Sequence, residues 1–206
     1  MKILAMTLNY DGRGWLDSAD SVTNNVMDLV LAGHEVRKMS LHGYGCGPGR
    51  TRIADIAIEG GYDYLFMNDD DVVLPDGALL RMLSYGVDVC LGFYAHHGSF
   101  DGRTCLCEHG KTYHDQLYDR DIARMREEGV SLFRVRGGGM GCALIKVSVF
   151  KKMKYPYFRW VDYEDHIGTL SEDLYFCEQC KKLGIPVHAD AWSGCEHYFR
   201  YKQGAM

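Results

Sequence analysis

The stretch "GRTRIADIAIEGGYDYLFMNDDDVVLP", residues 49–75, holds the change of rhythm that decides the fold. Ile53, Ala57 and Ile58 recur at helical spacing along "TRIADIAIEGG", and the pair Gly60 and Gly61 stops that helix. The residues that follow, "YDYLFMN", form a short apolar run of strand type that ends in three consecutive carboxylates, Asp69, Asp70 and Asp71. A helix feeding a buried strand is half of a strand, helix, strand unit.

The neighbouring segments repeat the unit. "KILAMTL" at the start reads as a strand. Asp17 or Ser18 can cap a helix with Val22, Val26, Leu29 and Val30 on one face, and Gly33 ends it. "HEVRKMSL" reads as a second strand, and "HGYGCGPGR" as a glycine-rich loop outside regular structure. Beyond the carboxylates, Pro75 and Asp76 open a helix, "DGALLRMLSYG", which leads into the apolar strand "VDVCLGFYA". Residues 96–130 are polar and weakly periodic and read as a long surface excursion. "VSLFRVR", the break "GGGMG" and the apolar "CALIKVSVF" follow. Next comes a helix in "SEDLYFCEQCKKLG" with Ser171 as N-cap, and a last strand in "IPVHADA". This alternation predicts an α/β fold with a mostly parallel sheet, helices on both faces and ligands at the carboxyl ends of the strands.

The 206 residues carry a formal charge of −5 and are expected to form one domain. No basic stripe that would track a phosphate backbone is apparent, so stable duplex binding is not expected, although a nucleic acid can still be a substrate. No apolar run approaches the roughly 20 residues of a membrane span, and the opening lacks a signal peptide's pattern. A cytoplasmic setting with reduced thiols is expected for the eight cysteines. Zinc is open at Cys105 and Cys107, near His109 and His114. Cys177 and Cys180 lie in a helical pattern that favours core packing.

Adjacent like charges raise one another's proton affinity unless a cation offsets them. Strand alternation would point Asp69 and Asp71 to one side and Asp70 to the other, and two such carboxylates suit Mg²⁺ or Mn²⁺. The alternative is an acidic turn that caps the next helix. Glu172 and Asp173 either complement a helix dipole or supply a base. His197, in "CEHY", is either a surface imidazole or a partner of Asp71 in a metal site.

In these segments and in their order, the chain resembles small glycosyltransferases of the GT-A fold, particularly those like family 2. The resemblance implies a Rossmann-like α/β/α sandwich spanning 1–206, with a nucleotide-binding half in 1–95, a variable excursion in 96–130 and an acceptor and catalytic half in 131–206. The family's D-x-D motif falls on Asp69 and Asp71, implying that they and His197 hold Mn²⁺ or Mg²⁺ against the diphosphate of a nucleotide sugar. Thr7, Asn9, Asp11, Arg50, Asp69 and Asp70 would surround that donor. Glu172 and Asp173 match the family's acidic pair, with Asp173 as the general base of an inverting transfer to a hydroxyl. Gly139, Met140 and Gly141 would lie beside the acceptor. Tyr155, Tyr157, Phe158 and Trp160 form either a stacking platform there or a partly buried loop. The acceptor class stays open among small molecules, glycans, proteins, lipid carriers and nucleic acids. Two other functions compete: a nucleotidyltransferase or nucleotide-sugar hydrolase, for which Gly12, Arg13 and Gly14 give a partial signature, and a non-catalytic carbohydrate- or nucleotide-binding module.

Overall fold

The structure is a computed structural model and describes residues 1–10, 14–95, 101–162 and 168–198. In chain order its elements are β1 (Lys2–Asn9), α1 (Leu16–Leu31), β2 (Glu35–His42), α2 (Cys46–Glu59), β3 (Tyr64–Asp69), β4 (Val72–Val73), α3 (Ala78–Ser84), β5 (Val89–Phe93), β6 (Arg103–Glu108) and β7 (Gln116–Tyr118). They continue with α4 (Asp119–Glu127), β8 (Leu132–Gly138), β9 (Cys142–Lys146), α5 (Val147–Phe150), β10 (Val161–Asp162), β11 (Thr169–Leu170), α6 (Glu172–Lys182), β12 (Val187–Gly194) and β13 (Glu196–His197).

Nine strands pair in the order β2-β1-β3-β9-β5-β12-β8-β6-β7. The pairings make six of them run one way and three, β9, β8 and β7, run the other. The expected α/β/α sandwich with a mostly parallel sheet is therefore present. Side-chain alternation builds its two cores. Leu4, Met6, Leu65 and Met67 face the layer containing α2 and α6, whereas Ile3, Ala5, Tyr64 and Phe66 face α1 and α3.

A polar stripe on α1 fixes the chain just beyond the three aspartates. Ser18 Oγ donates to the Val72 carbonyl at 2.9 Å, and Ser21 Oγ accepts the Leu74 N–H at 3.0 Å. Asn25 accepts the Leu79 N–H at 3.0 Å and donates to the Pro75 carbonyl at 3.1 Å. Ser18 thus acts across the layer and does not cap its own helix, whose N-cap is Trp15; Val30 turns outward.

Several boundaries differ from the sequence reading. "CGPGR" belongs to α2, because Pro48 is tolerated in a first turn and Gly49 is packed tightly. A Cβ at Gly49 would stand 2.7 Å from Leu8 Cδ1. The helix after the aspartates starts at Ala78 behind Gly77 at φ 68°, past Pro75 and Asp76. "CALIKVSVF" divides between β9 and α5, and Gly137 and Gly138 continue β8 instead of breaking it. The described part of 96–130 is no surface excursion. It adds β6, β7 and α4 to the sheet edge and buries Thr104, Leu106, Leu117 and Ile122. Its alternation is hard to read because the β6 to β8 register shifts between Cys107 and Glu108. Among the described residues no helix is long and apolar enough to cross a membrane.

Candidate active site

The parallel pair β1 and β3 ends with Leu8 beside Asp69 in register. The Asp70 N–H donates to the Leu8 carbonyl at 3.3 Å, and the Trp15 N–H donates to the Asp70 carbonyl at 3.2 Å. Thr7 lies in register with Asn68, and a Cβ on Gly14 would come within 3.2 Å of Asn9 Nδ2. Thr7, Asn9 and Asp70 are thereby gathered at one end of the sheet; Asp11, Gly12 and Arg13 lie outside the described residues. Because β3 stops at Asp69, strand alternation extends no further, and Asp71 is oriented by the turn and by its neighbours.

Arg50, in the second turn of α2, has only 3% of its side chain exposed and joins three carboxylates. Its Nη1 and Nη2 donate to Asp69 Oδ1 and Oδ2 at 2.8 and 3.0 Å. This bidentate fork is the strong geometry for guanidinium and carboxylate. Its Nε stands 2.9 Å from Asp173 Oδ1 and 3.8 Å from Glu172 Oε1. Asp173 Oδ2 accepts the Met140 N–H at 3.2 Å.

One buried cation does not neutralise three carboxylates. Burial first, then the neighbouring Asp173, pushes Glu172 up to about 7 against the opposing pull of Arg50. Asp173 is also shifted upward, by burial and by the charge on Asp69, with Arg50 and the Met140 N–H opposing.

The last short strand supplies the remaining predicted residue. β13 pairs antiparallel with β4, setting His197 opposite Val72, and the Tyr198 N–H donates to the Asp71 carbonyl at 2.8 Å. His197 Nε2 faces Asp71 Oδ2 at 3.6 Å, while Nδ1 lies 3.1 Å from the Ala95 carbonyl. Burial disfavours the imidazolium, but the Asp71 carboxylate and the Ala95 carbonyl outweigh it and raise its pKa. When neutral, the ring is held by the Ala95 carbonyl as the Nδ1–H tautomer, which leaves the Nε2 lone pair beside Asp71.

That pair fits a divalent ion that takes one carboxylate, one imidazole and several exchangeable oxygens. Asp69 fits less directly, since Arg50 already occupies both of its oxygens. Among the described residues no three His, Cys, Asp or Glu side chains are placed to share one ion.

Sequence reasoning missed Tyr94, which the end of the apolar run "VDVCLGFYA" could have flagged. Its buried hydroxyl accepts the Gly141 N–H at 3.0 Å, and its ring meets His197 edge-on with centroids 4.9 Å apart. Burial, with Cys105 and Asp69 adding to it, pushes Tyr94 well up, so it stays a phenol. A Cβ at Gly141 would lie 2.8 Å from that hydroxyl and 2.9 Å from Asp69 Oδ2. The missing side chains at 139 and 141 thus make room for Tyr94 and Asp69, while Gly139 also lines the neighbouring cleft. The Met140 side chain is buried, and only its N–H reaches the site.

A cleft of about 580 Å³ opens beside these groups, lined by Tyr94, Gly139, Asp173 and His197 on one wall and by Arg103, Tyr113, His114 and Gln116 from the β6 to β7 region on the other. Glu172 is buried beside Arg50 and is not among the residues that line the cleft. Of the aromatic group, Tyr157 and Phe158 are in the core and only Tyr155 and Trp160 are exposed. Cys177 and Cys180 pack in the core, as their helical spacing implied.

Two solved structures share this arrangement of strands and helices. The protein A197 from STIV matches with a TM-score of 0.62 and 20% identity over 97% of this chain and 87% of its own. GalNAc-T7, solved with UDP, GalNAc and Mn²⁺, matches with a TM-score of 0.60 and 11% identity, over 97% of this chain and 44% of that enzyme. The fold is GT-A-like. At these identities the likeness is one of fold alone. No protein-family model matches the chain, and a comparison with curated protein sequences finds no match.

Proposed function

We propose that this chain is a metal-dependent glycosyltransferase that moves a sugar from a nucleotide-diphosphate donor to a hydroxyl. The observation that carries the reading is the meeting of Asp71 with His197 and of Asp69 with Arg50 and Asp173, all beside one cleft at the strand ends. Asp71 and His197 would hold the ion, with Asp69 behind them. Bound there, a divalent ion would offset the negative charge that grows on a departing diphosphate.

The chain's own residues do the rest. Thr7, Asn9 and Asp70 lie where the nucleotide would rest. Arg50 keeps Asp69 and Asp173 in one orientation and contributes a positive charge near the leaving group. Asp173 lines the cleft, and among the described residues its Oδ2 accepts a hydrogen bond from the Met140 N–H alone, so a lone pair is left for an acceptor O–H. As the acceptor oxygen bonds to the anomeric carbon and the bond to diphosphate breaks, the hydroxyl proton passes to Asp173 Oδ2. A base on the face opposite the leaving group gives inversion. The upward shift of Asp173 suits it to receive that proton.

The test is release of nucleoside diphosphate from UDP-, GDP-, CDP- and dTDP-sugars, with Mn²⁺, with Mg²⁺ and with chelator, in the presence and absence of simple sugar acceptors. UDP-sugars come first because the GalNAc-T7 structure contains UDP. Metal-dependent release that Asp71→Ala and Asp173→Asn both abolish supports the reading. Undiminished turnover in Asp71→Ala refutes it.

A further inference from the structure

A second concave surface lies away from the cleft, along the opposite half of α6. Lys152, Lys154, Arg159 and Lys182 surround a groove of about 370 Å³ between α6 and residues 152–159. Among the described residues that line it, the one carboxylate, Glu178, is already engaged by Arg136 Nη2 and by the Tyr113 hydroxyl, each at 3.0 Å. Among the described residues none of the three ammonium groups meets a carboxylate, and the Arg159 guanidinium stacks on Tyr175 at 4.8 Å. Four cations crowd together in a chain whose net charge is −5, and among the described residues no salt bridge neutralises them, so the described part of this surface is locally opposite in sign to the protein as a whole.

The groove has a fixed wall. Gln179, nearly buried, accepts the Lys154 N–H at 3.0 Å and donates to the Tyr157 carbonyl at 3.2 Å, pinning the lysine-bearing segment to α6. Tyr175, Glu178, Gln179 and Lys182 recur at helical spacing and form one stripe along it. Beside the cations in sequence stand Tyr155 and Trp160, 62% and 61% exposed. Exposed aromatic rings one residue along the chain from Lys154 and Arg159, together with the Tyr175 ring that lines the groove, match what a polyphosphate chain with flat bases requires: charge for the backbone and π-faces for stacking. A bilayer presents its charge on a plane and reaches a groove poorly, whereas a single strand can lie in it.

From this the geometry points to a binding site for single-stranded nucleic acid along α6. The site amends the expectation that no basic stripe exists. The stripe is absent from the sequence order because Lys182 joins the 152–159 cations only when α6 packs against them.

Fluorescence anisotropy with a labelled oligothymidylate 12-mer, in buffer without donor or metal, tests this separately from any sugar transfer. With about three phosphates neutralised, the affinity should fall on the order of tenfold between about 50 and 200 mM salt. The triple variant Lys152→Glu, Lys154→Glu, Lys182→Glu should weaken binding by at least about tenfold, and Lys182→Glu alone by about threefold. Trp160→Ala with Tyr155→Ala should weaken it about tenfold while leaving the salt slope unchanged. All these positions are exposed, and unchanged melting curves will check that the variants fold. Absence of binding by the parent protein overturns the proposal, as do charge variants that bind like the parent. It is equally overturned if a sulfated polysaccharide or anionic vesicles bind as tightly as the oligonucleotide while the aromatic pair proves irrelevant.

Discussion

Asp69 and Asp71 are two residues apart and lead different lives. Asp69 is clamped at both oxygens by a buried arginine that also holds the start of α6. Asp71 is 36% exposed and faces a single imidazole at 3.6 Å. The first arrangement has both carboxylate oxygens committed to a guanidinium fork, while the second has donor atoms to spare. Under the proposed function, the difference separates the group that holds the architecture from the group available to a ligand.

The strongest way to break that contrast is to remove the clamp. Arg50→Met leaves three partly buried carboxylates without their cation and should cost about 3–5 kcal/mol, measured by urea unfolding. Arg50→Lys keeps the charge and loses the fork, so it should lie between that variant and the parent. Equal stability of all three proteins would mean that Asp69 is as free as Asp71. On the other side, Asp71→Ala and His197→Ala should each abolish metal-dependent turnover while shifting stability by less than about 1 kcal/mol, because the pair is partly solvated. A large loss of stability there would erase the distinction.

A smaller effect comes from the close packing against Asp69. Gly141→Ala forces a methyl against the Tyr94 hydroxyl and Asp69 Oδ2 and should cost about 1–3 kcal/mol. Tyr94→Phe in the same background should recover part of the loss by removing one of the clashing atoms.

The finest test concerns pH. Glu172 keeps its proton in the folded protein up to about pH 7, whereas a free glutamate carboxyl loses it near 4.5. The folded state therefore binds more protons than the unfolded chain between those values. Stability is lost as pH rises through that window and stays at the lower level above it. Glu172→Gln should melt a few degrees higher than the parent at about pH 8, on the order of 1 kcal/mol, with the gain shrinking towards about pH 5. No gain at the higher pH would mean that Arg50 compensates Glu172 as fully as it does Asp69.

Much of the frame is legible in the chain because it rests on short-range rules. The period-two and helical patterns of "KILAMTL", "TRIADIAIEGG" and "YDYLFMN" predict the parallel strands and the helix between them. Gly33 and Gly61, at φ 83° and 63°, end helices where the sequence suggested. Ser171 caps α6, accepting the Leu174 N–H at 3.5 Å. The rules failed where packing overrode them. "CGPGR" is helical because its glycines admit Leu8 and Phe158, and 103–127 joins the sheet through a shifted register that hides its alternation.

By itself, then, the sequence determined the main strands and helices outside 96–130 and that carboxylates stand where a buried strand ends, because hydrophobic periodicity and turn chemistry are properties of neighbouring residues. Only the tertiary structure decided how those carboxylates differ. Arg50 reaches Asp69 across 19 positions of chain, and His197 reaches Asp71 because a two-residue strand crosses back to β4. Contacts between residues far apart in sequence follow from packing and pairing, which no local pattern encodes.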